Sequence, residues 1–203
     1  MKSRILILIF LLISILIIIF CNDLKLNYDP IPDASGWEKI IVDGSSSGRY
    51  TSIEINSKGF PVISYYDATK KSLKIAQFNG TSFAFTTNNS TNENGLFTSL
   101  TLKTNDDQII AHLGKLSIPF KLEGSEESTT ASVYTVNVAL YTNNSLNNVI
   151  IPIIPETNVD SSILLPIIGS QRPYLFHYPS ASYDKTGILH LSFYDNLGGR
   201  LKY

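Results

Sequence analysis

The chain repeats one stretch of its own sequence, and this repeat constrains the fold more than any other feature. Residues 50–75 align without a gap on residues 178–203, and a fainter copy runs from Gly95 to Leu113 when Gly95 is placed on Gly48. The matched pairs of the two stronger copies include Tyr50 with Tyr178, Ser52 with Ser180, Gly59 with Gly187, Ser64 with Ser192, Tyr66 with Tyr194, and Asp67 with Asp195. Such repetition indicates stacked supersecondary units, because no single unit can bury its apolar face alone.

Each copy has the pattern of an antiparallel meander. Residues 50–55 and 61–66 alternate between apolar and polar side chains, and the segment between them ends in Gly59, which suits a tight turn. A third strand is predicted over residues 72–78, and Asn79-Gly80 predicts another turn before a fourth strand. Residues 37–42 have the pattern of the outermost strand of such a unit.

The repeat also carries a resemblance to a known family. The strings YTSIEINSKGFPVISYYD and YPSASYDKTGILHLSFYD resemble the repeats of bacterial exported lipoproteins with sialidase-like (BNR-like) β-propellers. The resemblance implies an all-β domain over residues 36–203, a β-propeller of four-stranded antiparallel blades, about four in number. The first copy departs from the family pattern at Asn56 and Val62, where the last copy has Asp184 and His190.

Ring closure is expected to depend on the two ends of this domain. Residues 37–42 supply an outermost strand and residues 200–203 end on a third strand, so pairing them would close the ring. An incomplete propeller and a β-sandwich of the same meanders are the alternatives. Between the copies, strand-like runs are predicted at residues 116–122, 133–141, 149–154, 163–168 and 173–177, forming the outer half of the second blade and a degenerate third.

The N-terminus has the order of an export signal. Lys2 and Arg4 precede an apolar run over residues 5–20, which predicts a hydrophobic signal helix. The run Ile18-Ile19-Phe20-Cys21 resembles a bacterial lipobox, although Phe20 stands where that family prefers a small residue. We therefore expect residues 1–21 to be a signal peptide, Cys21 to carry the lipid, and residues 22–35 to link the domain to the cell envelope, at the outer membrane or cell surface. A retained signal anchor and an ordinary secreted protein are the alternatives.

Composition argues against several function classes. A net charge of −1 and a charged fraction of 16% give no electrostatic footprint for nucleic acid. One cysteine among 203 residues permits no intramolecular disulfide. The histidines, His112, His177 and His190, occupy non-equivalent positions of the repeat, so we predict no metal site and no cofactor.

The candidate binding residues are Tyr66, Asp67, Tyr194 and Asp195, which end the second strand in two copies. They would place carboxylates and aromatic rings at one mouth of the propeller. The competing interpretation is that each aspartate accepts backbone N–H groups of the following turn. Alternation places Tyr65 and Phe193 in the core.

The sequence thus favours a non-enzymatic binding module for a protein or glycan ligand, anchored to a membrane. A sialidase-like enzyme would need clustered arginines and facing carboxylates, and beyond residue 21 the arginines are Arg49, Arg172 and Arg200. We predict no catalytic residue. A carbohydrate-active enzyme with a cryptic site and a truncated paralogue without function are the alternatives.

Overall fold

A computed structural model of the chain describes residues 39–44, 46–88, 90–121, 128–142, 145–149 and 173–203. The signal peptide, Cys21 and the linker predicted over residues 1–35 lie outside these ranges. Among the residues described, no helix has the length and apolar character needed to cross a membrane. The described part is all-β, and its strands form three antiparallel sheets.

The first sheet is the meander predicted from the first copy. Its strands lie in chain order and are β1 (Arg49–Ile55), β2 (Pro61–Asp67), β3 (Ser72–Phe78) and β4 (Phe83–Thr87). The β1–β2 turn is closed by Asn56, whose side-chain oxygen accepts the N–H groups of Lys58 and Phe60 at 3.0 and 2.9 Å. The Asn56 side chain therefore makes the turn hydrogen bonds expected of the aspartate that the resembled family has at this position.

The second sheet is built around a long hairpin. Its strands are β5 (Asn94–Leu102), β6 (Gln108–Lys121), β7 (Ser128–Thr142) and β8 (Ser145–Val149), in that order. The predicted strand over residues 116–122 is therefore not a separate element, because the ladder of β6 and β7 continues without a break from Gln108 to Lys121. The runs at 150–154 and 163–168 lie outside the described residues.

The third sheet corresponds to the last copy and has three strands. These are β9 (Phe176–Tyr183), β10 (Leu189–Asp195) and β11 (Arg200–Lys202), with β10 in the middle. Residues 39–42, part of the predicted closing strand, are not in a strand, and Trp37 lies outside the described residues. Within the described residues β11 is an edge strand, so the structure shows antiparallel sheets as predicted and no closed ring among these residues.

The first strands of the three sheets lie next to one another. β5 packs against β1 on one side and against β9 on the other. One core cluster, which includes Leu73, Ile75, Leu100 and Ile110, lies between the first two sheets. A second includes Leu113, Val136, Phe176 and Phe193 and extends to the third sheet. The three sheets therefore stack in chain order, with the first strand of each next to the first strand of its neighbour.

A hydrogen bond that recurs with the sequence repeat joins successive sheets. The hydroxyl of Ser52 accepts the backbone N–H of Leu100 at 3.0 Å, and the hydroxyl of Ser99 accepts the backbone N–H of Ala181 at 3.0 Å. Ser52 and Ser99 are repeat mates, as are Leu100 and Ala181. The repeat thus specifies the contact between sheets as well as the fold of each sheet.

Candidate functional site

Asp67 and Asp195 are buried turn residues. In the first sheet, one Asp67 oxygen accepts the N–H groups of Thr69 and Lys70 at 3.0 and 3.1 Å. In the third sheet, Asp195 accepts those of Leu197 and Gly198 at the same two distances. Both carboxylates are below a tenth exposed, so their repeated position reflects the turn that follows β2 and β10.

The two tyrosines that precede these aspartates have different surroundings. Tyr66 is 5% exposed, because the second sheet covers it, and its hydroxyl donates to Glu93 at 2.5 Å. Tyr194, its repeat mate, is 39% exposed. Of the four residues predicted from sequence, Tyr194 alone presents a substantial part of its ring to solvent. Tyr65 and Phe193 are buried as predicted.

A different set of aromatic residues lies where the sheets meet. Tyr50, Phe97 and Tyr178 are repeat mates in β1, β5 and β9, and we call them the aromatic row. The ring centroids of Tyr50 and Phe97 are 4.3 Å apart, and those of Phe97 and Tyr178 are 5.5 Å apart in an edge-on arrangement. Tyr178 is 67% exposed, so the row runs from a half-buried ring to an open one.

The backbone of the aromatic row is strained. The φ angles of Tyr50, Phe97 and Tyr178 are 56°, 53° and 50°. A bulky side chain in this left-handed region is an outlier that costs about 1–2 kcal/mol per residue. The ladders of β1 and β5 shift register at these positions, as expected of β-bulges, which redirect side chains. Strain of this kind is concentrated at functional sites, so its recurrence marks the row as a candidate site.

Other side chains extend the row. Tyr174 contacts Phe97 edge-on at 6.1 Å between centroids and lies 5.0 Å from the ring of His177. Burial lowers the pKa of His177, which favours a neutral imidazole that can both donate and accept hydrogen bonds. The surface therefore combines flat apolar rings with hydroxyl and imidazole groups.

Glu93 holds two of the surrounding tyrosines in place. Its carboxylate accepts the hydroxyls of Tyr66 at 2.5 Å and of Tyr134 at 2.6 Å, and so joins the first and second sheets. Burial alone would raise the pKa of Glu93, but the two hydroxyl donors together with the charges of Lys71 and Lys115 outweigh burial and lower it. Burial and the adjacent carboxylate raise the pKa of Tyr66. No pattern in the sequence marks Glu93, since it lies between two strands and outside the aligned copies.

A separate pocket opens on the first sheet. It has a volume of about 250 Å³ and is lined by Val42, Asp43, Ser47, Gly48, Thr51, Ile63 and Tyr65. Asp43 accepts the hydroxyl of Tyr65 at 2.6 Å and the ammonium group of Lys74 at 2.7 Å. Burial would raise the pKa of Asp43, but these donors prevail and lower it to about 2, so the pocket wall is charged at neutral pH.

The histidines are dispersed. His112 is fully buried and accepts the backbone N–H of Gly95 at 3.1 Å, while His190 lies 3.1 Å from Asp184 in the third sheet. Within the part of the chain that the structure describes, no group of three or more His, Cys, Asp or Glu side chains could hold a metal ion.

Comparison of the chain with family models, with curated proteins and with solved structures finds no match. The chemistry of the site therefore rests on its own geometry. An exposed aromatic ring continued by partly buried rings and hydrogen-bonding groups suits the binding of a flat, amphipathic ligand.

Proposed function

We propose that the protein is an exported, lipid-anchored β-propeller module that binds a glycan at the cell surface through the aromatic row. The exposed ring of Tyr178, continued by Phe97 and Tyr50, is the observation that supports this proposal. Sugar rings have apolar faces that stack on aromatic rings and hydroxyl edges that need hydrogen-bond partners, and the row with Tyr174 and His177 offers both.

Binding without catalysis fits these residues better than hydrolysis. A sialidase-like site would need a tyrosine nucleophile beside a glutamate, and Tyr66 and Glu93 have those residue types. The phenol of Tyr66 is buried, however, and its pKa is raised, which opposes formation of the phenolate that such a mechanism needs. The buried phenol of Tyr66 therefore favours the binding module over the enzyme.

The proposal is tested by placing the full chain, in a mild detergent, on an array of immobilised glycans. We expect the wild type to bind a subset of glycans and Tyr178→Ala to weaken that binding at least about tenfold, or ~1.4 kcal/mol. Tyr183→Ala removes a tyrosine from the same strand, where the ring instead lies 5.3 Å from the Lys103 ammonium group. This control should bind like the wild type.

Two results would contradict glycan binding. One is a folded wild type that retains no glycan at any array position, and the other is equal weakening by Tyr178→Ala and Tyr183→Ala. A protein ligand would appear as the first result.

The anchoring part of the proposal has its own test. Mass spectrometry of the protein extracted from bacterial membranes should find an acylated Cys21 as the first residue, because the cysteine becomes the new N-terminus after lipobox cleavage. Cys21→Ser should abolish both the cleavage and the acylation. Recovery of an unmodified, uncleaved N-terminus from the wild type would show a signal anchor instead.

A further inference from the structure

The stacking of the three sheets leaves two faces open: among the described residues no further sheet covers the outer face of the third sheet, and the outer face of the first sheet is covered only around Tyr65, which is 2% exposed and hydrogen-bonded to Asp43. We call the face that a sheet turns toward the next sheet along the chain its leading face. The opposite face, which turns toward the preceding sheet, is its trailing face. The leading face of the third sheet includes Ser180, Tyr194 and Leu201. The trailing face of the first sheet includes Gly48, Thr51 and Ile53. Both faces can be compared with repeat mates that are in contact.

The leading face of the third sheet is apolar and open. Leu73 is 0% exposed under the second sheet, whereas its repeat mate Leu201 is 73% exposed. Ile75 is likewise 0% exposed and its mate Tyr203 is 85% exposed. These positions bury completely when a further blade covers them.

The trailing face of the first sheet shows the same difference. Leu100 is 3% exposed against the first sheet, whereas its repeat mate Ile53 is 59% exposed. Large apolar residues left open on a sheet face mark an interaction surface. By the repeat, the two open faces are equivalent to the two faces that meet in the contact between the first and second sheets.

The pocket on the first sheet corresponds to a site on the second sheet, which Leu73 of the first sheet fills. Gly95 lies so close to Leu73 that a Cβ at Gly95 would be 2.4 Å from the Cα of Leu73. Its mate Gly48 lines the pocket, with nothing within 4 Å of the same position. Thr98 donates to the carbonyl of Tyr50 at 2.5 Å, and its mate Thr51 also lines the pocket.

We propose that two copies of this chain associate head to tail, with the leading face of the third sheet of each copy on the trailing face of the first sheet of the other. Leu201 then lies over Gly48 as Leu73 lies over Gly95. The hydroxyl of Ser180 accepts the backbone N–H of Ile53, which repeats the bonds made by Ser52 and Ser99.

Two copies are the smallest closed assembly in which the open face of each third sheet covers the open face of a first sheet. The unlike faces make each contact heterologous, and such contacts form closed rings only when the rotation per unit fits.

The test measures the protein mass of the full chain in a mild detergent at micromolar concentration, by light scattering coupled to size exclusion. The wild type should have twice the mass of one chain, which is 22.5 kDa before the proposed cleavage at Cys21. Leu201→Asp and Ile53→Lys should each be monomeric, because each places a charge in a buried apolar contact. Mixing these two variants should restore the dimer, since one contact then pairs opposite charges and the other is unchanged.

Ile188→Asp is the matched control, because Ile188 is 59% exposed but lies in the turn before β10. It should remain dimeric. The apolar N-terminal segment is the same in all variants, so association driven by that segment would not distinguish them. A monomeric wild type, an open series of larger oligomers, or a Leu201→Asp chain as dimeric as Ile188→Asp would overturn the proposal.

Discussion

The stability of Gly95→Ala should measure the cost of a clash between the first two sheets in addition to the cost of a positive φ. Gly95 has a φ of +90°, and a methyl group there would meet the Cα and N atoms of Leu73 at 2.4 and 2.5 Å. These are backbone atoms of the first sheet, so no side-chain rotation can relieve the clash. Gly59 is the control, because its φ is +78° and a methyl group there meets nothing within 4 Å.

The magnitudes follow from two effects. Both alanine variants place a side chain in the left-handed region, at a cost of about 1–2 kcal/mol. Gly95→Ala must also move the first sheet away from the second, and overpacking of this kind costs about 1–3 kcal/mol more. We therefore expect Gly59→Ala to lower the free energy of unfolding by about 1–2 kcal/mol and Gly95→Ala by about 2–5 kcal/mol.

The assay is urea unfolding of the full chain in a mild detergent, followed by circular dichroism. The two variants are compared with the wild type at equal slope, so that differences in midpoint report stability. Equal losses for the two variants, within about 0.5 kcal/mol, would refute the reasoning that Gly95 allows close approach of the sheets.

Two further predictions concern pH. Burial lowers the pKa of His112 to about 4 from 6.5, so the unfolded chain takes up a proton below pH 6.5 that the folded chain refuses until about pH 4. As the pH is lowered from 6.5 to about 4, the free energy of unfolding of the wild type should therefore fall relative to that of His112→Gln, by up to ~1.4 kcal/mol per pH unit. Equal pH profiles would contradict this. Asp43→Asn should lower stability at pH 7 by about 1–3 kcal/mol, because Lys74 loses its nearer charged partner and retains Asp67 at 3.9 Å. Since the pKa of Asp43 falls from 3.8 to about 2 on folding, its contribution is present above pH 3.8 and is lost as the pH falls through 2. Urea midpoints of wild type and Asp43→Asn should therefore converge below pH 2, and a gap that persists there would count against the ion pair.

The sequence was informative wherever the determinants are local. Turn chemistry at Asn56 and Gly59 and alternation in the flanking strands predict the β1–β2 hairpin. The gapless alignment then carries the same hairpin to β9 and β10. The core positions of Tyr65 and Phe193 follow from alternation alone and are confirmed.

The rest depends on contacts between sheets, which no local pattern encodes. Tyr66 and Tyr194 occupy the same repeat position, and only the presence of a covering sheet makes one buried and the other exposed. The aromatic row was missed because local rules oppose a positive φ at Tyr50 and its mates. The closing strand at residues 37–42 was inferred from the logic of the repeat, and residues 39–42 do not form it.

The serine bonds between neighbouring sheets have an evolutionary consequence. The acceptor is a serine side chain of one unit and the donor is a backbone N–H group of the following unit. Each unit carries both groups, so the duplication of a unit copies the donor and the acceptor together. A gene that gains or loses a whole unit therefore yields a product whose new neighbours already fit, whereas an insertion of one residue before Ser99 would misalign both serine bonds that meet at β5.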